Sequence, residues 1–124
     1  MIRILLAEDD TAMRTYLTRA LEKAGYSVVA VGSGAEAMPF IKTEIFDLLV
    51  SDIVMPEMDG IELAKRCNAL SPRTRVMFIT GFAAVSMRAN REAPQARMLS
   101  KPFHLRELVA EIDRIFEENA LATL

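Results

Sequence analysis

The chain has no tryptophan, a single cysteine, a single histidine and no excess of basic charge. The cysteine count and the charge balance each remove a class of protein. Cys67 alone cannot form an internal disulfide, so a disulfide-stapled secreted fold is excluded and a reducing, cytoplasmic setting is expected. Fifteen Lys and Arg stand against seventeen Asp and Glu, with the signs interspersed and a net charge of −2. A nonspecific nucleic-acid binder needs a basic surface, which this balance does not provide. The apolar run after Arg3 is four residues long and meets acids at Glu8, too short for a signal peptide. No run approaches the roughly 18 apolar residues of a membrane span. Repeats, linkers and low-complexity blocks are missing too. One domain over residues 1–119 is therefore expected, with 120–124 a short tail and the final ENALATL a frayed end.

What is present suits a compact domain. Of 124 residues, 52% are hydrophobic, enough for a domain of this size to bury about two-thirds of its unfolded surface without staples. Short apolar runs alternate with helical periodicity. Strands are expected at residues 2–7, 28–31, 48–51, 76–79 and 97–100. Between them, Met13, Leu17, Ala20, Leu21 and Ala24 recur at helical spacing, with Gly25 as the stop. Ser33 and Glu36 have capping-box spacing and open a second helix. Pro39 is expected to kink or end it, because proline loses a hydrogen bond there and clashes with an earlier carbonyl. Ile61, Ala64, Cys67, Asn68 and Leu70 predict a third helix, stopped at Ser71-Pro72. Residues 83–91 are only weakly helical. Leu105, Leu108, Val109, Ile112, Ile115 and Phe116 predict a strongly amphipathic last helix. This alternation implies an α/β fold with a parallel sheet covered on both faces.

In an open parallel sheet, ligands bind beyond the carboxyl ends of the strands. Strand one ends in Glu8, Asp9 and Asp10, strand three in Asp52, strand four in Thr80, and strand five in Lys101 before Pro102. Strand two ends in Gly32 and Ser33 and brings no charge. Carboxylates gathered at one edge repel one another unless a cation joins them. Oxygen ligands suit Mg²⁺, which keeps waters and bridges to phosphate oxygens. Lysine offers a point charge to a phosphoryl group, and threonine a hydroxyl. An aspartate beside such an ion can act as the nucleophile and form an aspartyl phosphate. Asp52 is thus expected to accept a phosphoryl group, with Glu8 and Asp9 holding the metal.

Four ordered motifs, ILLAEDD, LLVSDIVMPEMDG, FITG and LSKPF, resemble the receiver domain of bacterial two-component response regulators. The resemblance covers about residues 2–119. It implies a flavodoxin-like (βα)5 fold, a doubly wound five-stranded sheet of order 2-1-3-4-5. It further implies that Asp52 takes phosphate from a histidine kinase or histidine phosphotransferase. Asp9 would bind Mg²⁺ directly, Glu8 through water, and the Val54 carbonyl would complete the protein ligands. Thr80 and Lys101 would contact the phosphoryl group, and the Lys101–Pro102 peptide would be cis. The pattern is nearest to a single-domain type that acts as an adaptor to an ATP-dependent protease, working as a monomer or weak dimer. With no DNA-binding segment after the last helix, output is expected through protein contact at Met87, Arg88, Arg91 and Met98.

Blander roles compete at several positions. A lone aspartate is common in turns, but Asp52 comes with Asp9, Thr80 and Lys101 in sheet-compatible order. Asp10 is expected to cap the first helix while Asp9 binds metal. Asp59-Gly60 reads as a turn, His104 as a solvated residue at a helix start, Cys67 as core, and the eight methionines as packing. Met98 stands where receivers usually carry a tyrosine or phenylalanine, so the usual aromatic switch is in doubt. Val54 and Phe82 lie two residues after Asp52 and Thr80. By resemblance they flank the phosphoryl group, and being apolar they cannot orient an attacking water. Three functions compete: a phosphoacceptor switch, which is not an enzyme in the turnover sense; a phosphorelay intermediate with no effector of its own; and a Mg²⁺-dependent aspartyl-phosphate phosphatase. Phosphatases of the haloacid dehalogenase type carry a second aspartate two residues after the nucleophile, where this chain has Val54. A degenerate receiver is disfavoured by the intact set of Asp9, Asp52, Thr80 and Lys101.

Overall fold

A computed structural model describes residues 1–81 and 83–122. Strands β1 (Arg3–Ala7), β2 (Ser27–Val31), β3 (Leu48–Asp52), β4 (Arg75–Thr80) and β5 (Arg97–Ser100) alternate with helices. These are α1 (Thr11–Lys23), α2 (Gly34–Thr43), α3 (Gly60–Leu70), α4 (Ala83–Glu92) and α5 (Leu105–Ala122). The strands form one sheet of order β2-β1-β3-β4-β5, parallel throughout. This is the flavodoxin-like (βα)5 topology that the alternation and the resemblance implied.

Alternate residues of each strand supply the two faces of the sheet. Ile4, Leu6, Leu48, Val50, Met77 and Ile79 pack with Leu17 and Leu21 of α1 and Leu108, Ile112 and Ile115 of α5. Leu5, Ala7 and Leu49 pack on the other face with Ala37 and Ile41 of α2 and Leu63 and Cys67 of α3. Phe78 joins Ile61 and Ala64 of α3 to Ala89 and Ala93 at α4. Each fully buried Leu or Ile contributes about 1.5–3 kcal/mol. The central strands β1, β3 and β4 carry most of this core, whereas the edge strand β5 holds only half-buried and exposed residues.

The Gly25 stop and the Ser33 cap act as their chemistry requires. Gly25 adopts φ +99°. Its N–H donates to Glu22 and that of Tyr26 to Leu21, closing α1 in a Schellman motif. Ser33 caps α2 by accepting from Glu36 N at 3.1 Å, but Glu36 reaches back to Gly32 N at 2.6 Å instead of to the cap residue. Pro39 does not end α2, which continues four residues further to Thr43. Pro39 is solvent-exposed, so the missing N–H weakens the helix without exposing a buried gap. In α3, Asn68 and Leu70 face solvent instead of the core. Cys67 is 1% exposed. The end expected to fray from residue 118 is helical through Ala122, and residues 123–124 lie outside the described residues.

The β3–α3 connection is the tightest part of the fold. Met58 N donates to the Pro56 carbonyl at 2.9 Å, placing Glu57 at the centre of a three-residue turn with φ +69°. A non-glycine residue held there costs on the order of 1–3 kcal/mol. Gly60 follows, and a Cβ on it would overlap the Asp52 carbonyl oxygen and stand 2.9 Å from Ile53 Cα. The expected turn at Asp59-Gly60 is therefore a helix cap and a close backbone approach. Asp59 Oδ1 accepts from Glu62 N at 2.9 Å. Gly60→Ala is expected to lower stability by roughly 2–4 kcal/mol, read as a urea midpoint. Gly81→Ala, where a Cβ meets nothing within 4 Å, should stay within about 0.5 kcal/mol of the parent. Equal effects at both glycines would refute the steric account.

Candidate phosphoacceptor and metal site

Register brings the strand ends together. Ala7 pairs with Ser51 and Asp52 with Ile79. Glu8 and Asp9 thus leave β1 beside Asp52, and Thr80 ends β4 one residue beyond it. Thr80 pairs with Ser100, and Lys101 N donates to the Thr80 carbonyl at 2.7 Å, so Lys101 follows at the same edge. The Lys101–Pro102 peptide is cis, as the resemblance implied.

Carboxylate oxygens of Glu8, Asp9 and Asp52 lie within 4.8 Å of one another. Lys101 Nζ is 3.1 Å from Asp52 Oδ2 and 3.6 Å from Glu8 Oε1. The other Asp52 oxygen, Oδ1, accepts from Val54 N at 3.2 Å. Asp9 is exposed, whereas Glu8 is 2% exposed and its Oε2 has no hydrogen-bond partner. Burial, reinforced by the charge of Asp52, raises the Glu8 pKa to about 7, with Lys101 opposing. Burial also works against the Lys101 ammonium, but its bonds to Asp52 and the nearby Glu8 charge outweigh that and hold its pKa above the ordinary value.

An all-oxygen donor set with an orphaned buried carboxylate oxygen fits a hard divalent cation. Glu8, Asp9 and Asp52 are the residues that could hold one. The arrangement leaves one carboxylate, Asp52, with its oxygens aligned by a lysine and a backbone N–H.

The remaining sequence candidates fall into place around this set. Asp10 turns away and caps α1, accepting from Met13 N at 2.8 Å. Val54 is 47% exposed beside Asp52. Thr80 is buried. Phe82 lies outside the described residues. His104 is exposed, and its carbonyl accepts from Glu107 and Leu108 at the start of α5. Met98 is half-buried in the cluster with Phe78 and Ala89. Of the four surface residues, Met87 is 66% exposed and Arg91 is exposed. Arg88 is engaged, donating to Asp59 Oδ2 at 2.8 Å and Glu92 Oε2 at 2.6 Å.

Sequence reasoning missed two residues at this edge. One is Glu57, whose strained turn redirects the chain after Asp52. The other is Arg14, whose Nη1 donates to the Glu8 carbonyl at 2.9 Å. No sequence signal marks Arg14: Gly32, which has no positive φ and leaves room for the guanidinium, becomes its neighbour only in the fold.

A doubly wound α/β sheet with acids, threonine and lysine at its carboxyl edge defines the class. The family described as "Response regulator receiver domain" matches residues 4–113, and the chain belongs to it. It is 57% identical over 116 residues to "Response regulator receiver protein CpdR" of Brucella abortus, covering 93% of this chain and 97% of that protein. It is 35% identical over 119 residues to "Sensor kinase CckA" of the same organism, spanning only 12% of it. Among solved structures, a CheY-like receiver domain protein from Methanospirillum hungatei superposes with a TM-score of 0.89. That pair is 30% identical over 98% of both chains.

The pKa of Glu8 carries a testable sign. The folded chain keeps this proton up to about pH 7, whereas an ordinary glutamate releases it near 4.5. Between these values the folded state binds more protons, so the Glu8 contribution to stability falls as pH rises. Glu8→Gln removes the titration. In EDTA, urea unfolding is expected to favour the variant increasingly from about pH 5 to about pH 7. A stability difference that does not change with pH would show that Glu8 ionises normally.

Proposed function

We propose that the protein is a phosphoacceptor switch, taking a phosphoryl group onto Asp52 from a phosphohistidine of a kinase or phosphotransferase. The observation that supports this reading is the convergence of Glu8, Asp9, Asp52 and Lys101 within contact distances at one sheet edge. An Asp52 oxygen attacks phosphorus, the bond from phosphorus to the donor nitrogen breaks, and the imidazole leaves. Lys101 offsets the charge of Asp52 before transfer and of the phosphoryl oxygens after it. The Val54 N–H keeps Asp52 Oδ1 oriented, and Thr80, at the end of β4 next to Asp52, would donate its hydroxyl to a phosphoryl oxygen. Glu8, Asp9, Asp52 and the Val54 carbonyl would hold Mg²⁺, which would supply charge neutralisation for the transferred phosphoryl group. An apolar cleft lined by Met13, Tyr16, Pro102 and Phe103 opens beside Lys101 and offers the donor a surface.

Phosphorylation then shifts an equilibrium that a protein partner reads. In the adaptor version of this reading the partner is an ATP-dependent protease. Likeness to a receiver protein of nearly the same length supports the receiver reading on which that version builds. The face carrying exposed Met87 and Arg91 is the proposed contact. The phosphatase alternative lacks an acid two residues after Asp52, since Val54 stands there. No described helix is long and apolar enough to cross a membrane.

Incubation with acetyl phosphate and Mg²⁺ is expected to add the mass of one phosphoryl group to the chain and none to Asp52→Ala. An unmodified parent, or an equally modified variant, overturns the assignment. Release of phosphate from many small phosphoesters at a steady rate would favour the phosphatase. Because Val54 cannot orient water, Val54→Asn is expected to speed decay of the phosphorylated form by about tenfold, less than the roughly 10²–10⁴-fold of a positioned general acid or base, since an amide only orients the water. An unchanged half-life refutes that role for residue 54.

A further inference from the structure

Strand β2 brings no charge to the site, yet the loop that follows it packs against a side chain of α1 that reaches the site. Arg14 projects from the first turn of α1, and its Nη1 donates to the main-chain carbonyl of Glu8 at 2.9 Å. The N–H of Glu8 itself donates to the Val31 carbonyl at 3.1 Å. The backbone that delivers Glu8 and Asp9 is therefore held on both sides, by β2 and by α1.

The loop after β2 is shaped around that guanidinium. A Cβ on Gly32 would stand 3.0 Å from Arg14 Nη1 and 3.3 Å from Glu36 Oε2. Gly32 lacks the positive φ that ordinarily calls for glycine, so the room it leaves is what the site uses. Glu36 Oε2 accepts from Gly32 N at 2.6 Å, which fixes the loop in place. Arg14, Gly32 and Glu36 thus form one brace with its working end on the Glu8 carbonyl.

We infer that Arg14 is a positioning residue for the divalent-cation site, setting the main chain between the ligands Glu8 and Asp9 through a bond to the Glu8 carbonyl. The inference rests on the metal reading given above. Groups that orient metal ligands from behind typically matter by about 10–100-fold in affinity. Electrostatics alone makes the opposite prediction. Deleting a cation near Glu8 and Asp9 removes repulsion and should tighten Mg²⁺ binding.

The test uses the unphosphorylated full chain, stripped with EDTA and titrated with Mg²⁺, with melting temperature as the readout. Arg14→Met is expected to weaken the Mg²⁺ affinity by about tenfold. Gly32→Ala keeps the charge but crowds the guanidinium, and is expected to weaken it in the same direction. Urea midpoints in EDTA establish that each variant is folded. If Arg14→Met binds Mg²⁺ as tightly as the parent or more tightly, the positioning role is overturned and a simple charge effect stands. If Arg14→Met does not fold, Gly32→Ala decides, and a parental affinity there overturns the proposal. A parent chain that shows no Mg²⁺-dependent shift overturns the metal reading itself, and this inference with it.

Discussion

Mutual repulsion among Glu8, Asp9 and Asp52 is the constraint to which the rest of this edge responds. Three carboxylates within 4.8 Å are tolerable only with positive charge among them. Lys101 provides one charge from β5, the far side of the sheet order. Its reach requires β4 and β5 in register, so that the residue after Ser100 leaves at the level of Thr80. The parallel sheet is thus the device that brings a lysine 49 residues away in sequence to 3.1 Å from Asp52. The lysine compensates only in part, since Glu8 keeps a raised pKa and an unpartnered oxygen. A site left short of positive charge is one that a divalent ion would fit.

Much of this was legible in the sequence because the signals were local. Apolar runs of four to six residues in the centre of a parallel sheet have few alternatives. The acids, threonine and lysine at their ends follow directly once the strands are placed. Glycine at position 25, the Ser33 cap and the α5 periodicity likewise depend on neighbours within a turn or two. The cis peptide before Pro102 and the strand order came from resemblance, not from local chemistry.

What was not legible depended on contacts across the fold. Pro39 carries a local penalty that the packing of Ala37 and Ile41 against β1 and β3 overrides, so α2 continues past it. Glu36 has capping-box spacing, yet it bonds Gly32, because the loop geometry puts that N–H nearer. Glu57 has no sequence feature that announces a positive φ. Its conformation follows from the need to turn sharply between Asp52 and a helix that begins against Asp52's own carbonyl. Arg14 and Gly32 are eighteen residues apart, and only the pairing of β1 with β2 makes them neighbours. The site's first layer was readable from strand ends, and its supporting layer was not.

Burial of Cys67 has a practical consequence. Packed between α3 and the sheet, its thiol is pushed up to about 11 by burial, so almost none is thiolate at neutral pH. Maleimide reagents should therefore ignore the native chain under folding conditions. A single cysteine introduced at an exposed position would carry a dye or spin label alone, giving a clean reporter of motion in a molecule that has no tryptophan to watch.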